Sequence, residues 1–168
     1  GYSCASAGRA FMSSDEDFVH AVIAGLREIG LEAIVVGSAA AAMQGVPVTT
    51  QDLDLLVRDT PKNRSALQDL AEKLGTARPM EVSPLSRAVR LIGGLVPVDV
   101  LFDEISGWLK FESLRSRCVR IDLGDEVAVV ASLDDVIRSK EAAGRPKDLA
   151  QLPILRDTLR VKKALEGS

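Results

Sequence analysis

The hydrophobic positions of the chain change period several times, and each change marks an element. After Ser14, the residues Phe18, Val22, Leu26 and Ile29 recur at three- and four-residue intervals and stop at Gly30. That spacing predicts an amphipathic helix, with Asp17 as the capping-box partner of Ser14 and glycine as the stop. Ala33 to Val36 is short, apolar, rich in β-branched residues and bounded by Gly37, which predicts a buried strand. Ala39 to Gln44 is an alanine-rich segment closed by Gly45 and Pro47, so a tight Gly37-Ser38 turn, with Ser38 as cap, leads into a short helix. Leu53 to Val57 forms a second apolar strand. Pro61 suits the first turn of a helix carrying Leu67, Leu70 and Leu74 to a stop at Gly75.

A third strand is predicted from Ala88 to Ile92, and Gly93-Gly94 reads as a two-residue hairpin turn into Leu95 to Phe102. Val119 to Leu123 and Val127 to Val130, separated by a turn with Gly124, form a further strand pair. Ser132 with Asp135 opens a helix to Ala143, ended by Gly144, and a last helix runs from Pro146, with Pro153 as a kink or restart. Trp108 and Phe111 stand at helical spacing and read as packing residues rather than as a base-stacking surface. The element order gives an α/β (α+β) fold, a mixed sheet with helices packed on it.

Length and composition narrow the classes. The 168 residues fit one domain, taken as residues 12–168 with a helical part at about 132–165, and an apolar fraction of 46% is enough for a core. Gly1 to Phe11 is low-information sequence ahead of Met12 and reads as an added or disordered extension. A formal net charge of -3 speaks against a protein that coats nucleic acid. The basic residues are unevenly spread: Arg138, Lys140, Arg145, Lys147, Arg156, Arg160, Lys162 and Lys163 gather near the end of the sequence and mark an anion-facing region. Cys4 and Cys118 have no ligand spacing and suggest neither a disulfide framework nor a zinc site, which fits a reducing cytoplasm. No apolar run reaches the length of a membrane span.

The candidate chemistry lies in the strands. Asp52 and Asp54 flank Leu53, and at roughly 3.3 Å per residue their side chains share a face about 6.6 Å apart. Asp99 is a lone acid within Val98-Asp99-Val100. If the two strands are neighbours, three carboxylates converge, and three such acids cannot stay ionised in a dry pocket without a counter-charge. All-oxygen ligands favour Mg²⁺ or Mn²⁺ over zinc. The competing explanation is that the aspartates merely alternate outward on half-exposed strands. Gly37 permits close approach of a phosphate, and Ser38 with the following helix start can donate hydrogen bonds to it. His20, the single histidine, lies in the first helix and reads as a boundary residue, so histidine-based hydrolysis is disfavoured. Neither a GxSxG nor a P-loop pattern is present.

The series Ile34-Val35-Val36-Gly37-Ser38, Asp52-Leu53-Asp54-Leu55-Leu56-Val57 and Val98-Asp99-Val100 resembles the three motifs of the DNA polymerase β-like nucleotidyltransferase superfamily. The segment from Lys140 to Leu149 is similar to the C-terminal motifs of its small bacterial branch, the group containing AbiEii-type toxins. The resemblance implies a minimal nucleotidyltransferase fold and Mg²⁺-dependent transfer of a nucleoside monophosphate from an NTP such as ATP to an acceptor hydroxyl. It implies that Gly37 and Ser38 hold the triphosphate, that Asp52, Asp54 and Asp99 bind the metals, with Asp99 also drawing the acceptor's proton, and that Lys140 neutralises phosphate charge. Two positions depart from the pattern: Val48 stands where relatives often carry Arg, and Gln151 where they often carry an acid. Asp148 reads first as a helix-start or Arg-pairing residue. The acceptor, whether a small molecule, a tRNA end or a protein side chain, is open, as is a homodimer. Two rival readings are a nucleotidyltransferase-like protein that binds without turnover, as one component of a toxin-antitoxin or regulatory pair, and a nucleic-acid-binding module.

Overall fold

A computed structural model describes residues 13–76, 80–81 and 87–167 of the chain. The expected extension from Gly1 to Phe11, with Cys4, lies outside the described residues. In chain order the elements are α1 (Ser13–Ile29), β1 (Ile34–Val36), α2 (Gly37–Met43), β2 (Leu53–Val57), α3 (Pro61–Leu74), β3 (Met80–Glu81), β4 (Ala88–Leu91), β5 (Val98–Phe102), β6 (Glu104–Ile105), β7 (Leu109–Lys110), α4 (Phe111–Arg117), β8 (Val119–Asp122), β9 (Val127–Val130), α5 (Leu133–Ala143) and α6 (Pro146–Glu166). Strands β6 and β7 form a small hairpin of their own, and the other seven form one sheet in the order β3-β4-β5-β2-β1-β9-β8. The sheet is mixed: β2 runs parallel to β5 and β1 parallel to β9, while the remaining neighbours are antiparallel.

One face of the sheet's centre is apolar throughout. The register sets Leu53 beside Val98, Leu55 beside Val100 and Val57 beside Phe102, and β4 adds Leu91 and Val89 to the same rows. All eight side chains are buried. The two-residue period therefore turns Asp54, Asp99 and Arg90 to the opposite face. Helix α1 packs on α3, and α5 packs on both α2 and α6.

Local chemistry accounts for both ends of α3 and of α5. Thr60 caps α3 through its hydroxyl, which accepts from the Asn63 N–H, and Ser132 caps α5 in the same way for the Asp135 N–H. Gly75 and Gly144 close those two helices in the left-handed conformation. Four expectations need correction. Ser38 does not cap α2: the helix begins at Gly37, Val36 is the residue before it, and the Ser38 side chain is used elsewhere. The β4-β5 hairpin does not turn on two residues, because β4 ends at Leu91 and β5 begins at Val98. Its glycines serve other ends, Gly93 adopting a φ of 103° and Gly94 lying under the Phe18 ring, where a Cβ would come within 2.6 Å of Cζ. Pro153 does not interrupt α6, which continues to Glu166. The carbonyl its ring frees belongs to Leu149, whose exposure of 51% lets water satisfy it. Trp108 is not a packing residue: it sits in the β6-β7 turn at a φ of 58° with 86% exposure, whereas Phe111 is buried as expected. The short elements β3, β6, β7 and α4 carry too few residues to show a period and were not predicted.

No helix among the described residues is long and apolar enough to cross a membrane. Leu55, fully buried between Val35 of β1 and Val100 of β5, tests the core beneath the polar face. Leu55→Ala is expected to lower stability by about 3 kcal/mol in urea unfolding followed by circular dichroism.

Candidate functional site

The polar face of the sheet carries a single row across four strands: Arg90 on β4 is opposite Asp99 on β5, Asp99 is beside Asp54 on β2, and Asp54 is opposite Val36 on β1. Parallel neighbours lie about 4.8 Å apart, so the Asp54 and Asp99 carboxylates are held together by backbone pairing. Asp52 immediately precedes β2 and is partly exposed. Its carbonyl accepts from the Thr50 hydroxyl at 2.7 Å, and the next residue's N–H donates to the Pro97 carbonyl at 2.9 Å. Those two bonds fix the strand's entry and hence the direction of Asp52.

Gly37, the residue after Val36, stands directly over Asp54. Its φ is 66°, and a Cβ there would meet Asp54 Oδ2 at 2.9 Å. Both the backbone conformation and the carboxylate exclude a side chain. The sequence reading has Gly37 admit a phosphate; the group it approaches in the structure is Asp54.

The acids differ in their surroundings. Asp99 accepts two hydrogen bonds from Arg90, Nε to Oδ1 at 2.6 Å and one terminal nitrogen to Oδ2 at 2.8 Å, and the same guanidinium is 3.8 Å from Asp52. At Asp54, burial, then the charges of Asp99 and Asp52, push the carboxyl up to about 6. Lys147 and Lys140 oppose that rise without cancelling it. Among the described residues no three Asp, Glu, His or Cys side chains are arranged to hold a metal ion as they stand. Two of the three acids instead face a guanidinium. The donor set nevertheless suits a hard cation: three carboxylates, no sulfur or imidazole, and one acid whose ionisation is disfavoured in its present surroundings.

A second cluster closes the site from the C-terminal helices. Lys140 Nζ donates to the Ser38 hydroxyl at 2.9 Å and to Asp148 Oδ1 at 3.3 Å, and the Ser38 hydroxyl donates to Gln151 Oε1 at 3.0 Å. Arg145 adds a bond from Nε to Asp148 Oδ2 at 2.6 Å. Asp148 is fully buried. Burial alone would raise its carboxyl, but the bonds from Arg145 and Lys140 bring it below the ordinary carboxylate range. Burial draws the Lys140 ammonium below its usual value against the pull of Asp148. The reading of Asp148 as an Arg-pairing residue agrees with this geometry.

All six residues predicted from sequence, Gly37, Ser38, Asp52, Asp54, Asp99 and Lys140, fall in these two adjoining clusters. The departures are explained in part. Val48 is buried in the core, so no cation projects from that position, and Gln151 supplies an amide oxygen where an acid was noted as common. His20 pairs with Asp125 at the β8-β9 turn and takes no part. Arg90 was not anticipated. Its signal was present in the sequence, as the one charge between Val89 and Leu91 on a strand predicted to pair with the strand of Asp99.

No family model and no curated protein matches the chain. Solved structures do. The solution structure of the antibiotic-resistance factor ANT(2'')-Ia is similar over 94% of this chain and 97% of its own, with a TM-score of 0.62 and 17% identity. A crystal structure of ANT(2'')-Ia in complex with adenylyl-2''-tobramycin is similar over 90% and 92%, with a TM-score of 0.64 and 19% identity. A Thermotoga maritima protein described as a candidate nucleotidyltransferase is similar over 90% and 92%, with a TM-score of 0.55 and 16% identity. The chain shares the fold of these proteins, a mixed sheet flanked by helices.

The Asp54 environment makes a pH prediction. Its folded value of about 6 lies above the ordinary 3.8, so the native state binds the proton more tightly and loses stability as pH rises from about 4 through 6. At neutral pH the cost is about 3 kcal/mol. Asp54→Asn is therefore expected to melt higher than the wild type at pH 7.5, with the gap shrinking to under about 1 kcal/mol at pH 4, as read by thermal unfolding in metal-free buffer.

Proposed function

We propose that the protein is a nucleotidyltransferase that moves a nucleoside monophosphate from an NTP to an acceptor hydroxyl and releases pyrophosphate. The observation that carries this reading is the row in which Asp54 and Asp99 are register neighbours, with Asp52 beside them, under the open backbone of Gly37. The fold shared with nucleotidyltransferases supports it.

In this reading Asp52 and Asp54 would hold Mg²⁺ or Mn²⁺, with Asp99 completing the set. The bound cation supplies charge neutralisation for the triphosphate and lowers the cost of ionising Asp54. The chain's own groups do the rest. The glycine at position 37 leaves room for phosphate oxygens next to Asp54. Lys140, with Ser38 at its tip, balances negative charge from the opposite side of the cleft, and Lys147 adds to the field. Asp99 accepts the proton of the acceptor hydroxyl. The acceptor oxygen bonds to the α-phosphorus as the bond from that phosphorus to the bridging oxygen breaks, and the electron pair leaves with pyrophosphate. Positioning and charge stabilisation suffice for such a transfer, and no further nucleophile is required.

The adenylyl-tobramycin in one structural neighbour supports a small-molecule hydroxyl as the acceptor class. The finer likeness to the AbiEii-type branch rests on the Lys140 to Leu149 segment, which here forms the Lys140-Asp148-Arg145 cluster. A cytoplasmic site of action accords with two cysteines in no ligand or disulfide pattern.

A second reading, binding without turnover, draws on Arg90. Both oxygens of Asp99 accept hydrogen bonds from its guanidinium, which already supplies this acid with a counter-charge. The two readings part in one assay. Purified protein with Mg²⁺, each NTP and a panel of aminoglycosides, tRNA and protein acceptors is expected to release pyrophosphate, and Asp52→Asn and Asp54→Asn are expected to lower that rate by at least about a hundredfold. Equal release from the wild type and both variants would overturn the metal assignment. NTP binding without release, across the whole panel, would favour the second reading.

A further inference from the structure

Among the described residues, Arg90 is the one cation built into the sheet itself at the acid row. Its position is set by the backbone, since β4 and β5 are antiparallel with Arg90 directly opposite Asp99. The fork geometry of the guanidinium matches both carboxylate oxygens, and the remaining reach extends to Asp52. Both acids belong to the set of three assigned to a divalent cation in the reading above, on which this inference rests. A carboxylate oxygen that accepts a short hydrogen bond from a guanidinium has less to offer a metal, and a fixed positive charge a few ångströms away repels an incoming cation.

We propose that Arg90 is an intramolecular counter-cation for the acid row, one that must leave Asp99 before a divalent metal binds there, so that it sets the metal affinity of the site. Several features of the surroundings permit the exchange. The Arg90 side chain is 40% exposed, against 17% for Asp99, so the guanidinium can swing outward into water while the carboxylate stays in the cleft. The strand below does not need to move, because Val89 and Leu91, on the other face of β4, hold it in the core.

Arg90 is a positioning residue in this account, and its effect is read on metal binding rather than on turnover. Mn²⁺ binding to the full chain is followed by electron paramagnetic resonance in the absence of NTP, for the wild type, Arg90→Gln, Arg90→Lys and Asp54→Asn. Arg90→Gln is expected to bind Mn²⁺ about tenfold more tightly than the wild type, as expected for removal of a charge-assisted competitor. Arg90→Lys, which keeps the charge but not the fork, is expected to fall between them, and Asp54→Asn is expected to bind more weakly. Binding by the wild type that depends on Asp54 but is unchanged or weaker in Arg90→Gln would overturn the proposal and leave the nucleotidyl-transfer reading standing. Binding by Arg90→Gln alone would support the proposal in its strongest form. Absence of binding in all four would overturn both. Should Arg90→Gln fail to fold, the Arg90 Nε–H resonance of the ¹⁵N-labelled wild type decides: it is expected to shift as Mg²⁺ is added, and a resonance that stays in place while metal binds would overturn the proposal.

Discussion

The constraint on which the site depends is the parallel pairing of β2 with β5. Strand pairing sets Asp54 beside Asp99 whether or not the charges welcome it, because the opposite faces of the same strands are committed to the core through Leu53, Leu55, Val57, Val98, Val100 and Phe102. A one-residue slip of either strand would turn its three core side chains to the wrong face. The burial of six apolar residues thus holds two like charges in register. At about 1.5 to 3 kcal/mol for each buried side chain, that burial outweighs the roughly 3 kcal/mol by which the Asp54 carboxyl is disfavoured at neutral pH.

The repulsion so created is relieved unequally. Arg90 compensates Asp99 and part of Asp52, while Asp54, covered by Gly37, keeps its raised value. On the other side of the cleft the charge order is reversed. There Asp148 is the buried acid and is fully compensated by Lys140 and Arg145, which fixes Lys140 against Ser38 at the start of α2. One cluster is thus electrostatically finished and the other unfinished. The Asp148 cluster carries its own counter-charges, whereas Asp54 is left with a demand for positive charge.

Much of this was legible in the sequence because it follows from strong local rules. The apolar run Leu53 to Val57 and the segment Leu95 to Phe102 located both strands and the acids on them, the bounds of α3 were legible from Pro61 and Gly75, and those of α5 from Ser132 and Gly144. What escaped was decided by contacts between distant segments. Ser38 looks like a cap when only its neighbours are considered, yet its hydroxyl is claimed by Lys140 and Gln151, more than a hundred residues away. Gly94 reads as a turn residue until the Phe18 ring comes to rest on it. Trp108 has the spacing of a packing residue, but the tight β6-β7 turn, whose Gly107 faces Arg138 and Ala142 of α5, leaves the indole in water. Arg90 is the instructive case, since its strand was predicted and its partner was already under discussion. Only the antiparallel register of β4 and β5 joins them.

That register changes how the acids are to be understood. A set of three carboxylates read from sequence suggests a site waiting for metal. The folded chain instead carries a guanidinium of its own at the edge of the set, at hydrogen-bond distance from one acid and at ion-pair distance from a second. The sheet therefore encodes both the negative charge and a cation able to compete for it. The balance between them lies in side chains that turn on χ angles, and the backbone can stay as it is. An affinity set by one exposed, movable arginine can be tuned by what binds beside it, since any anion that draws the guanidinium outward also unblocks Asp99. In the proposed nucleotidyl transfer, a triphosphate entering over Gly37 would be such an anion, so the charge that needs the metal would also help to admit it.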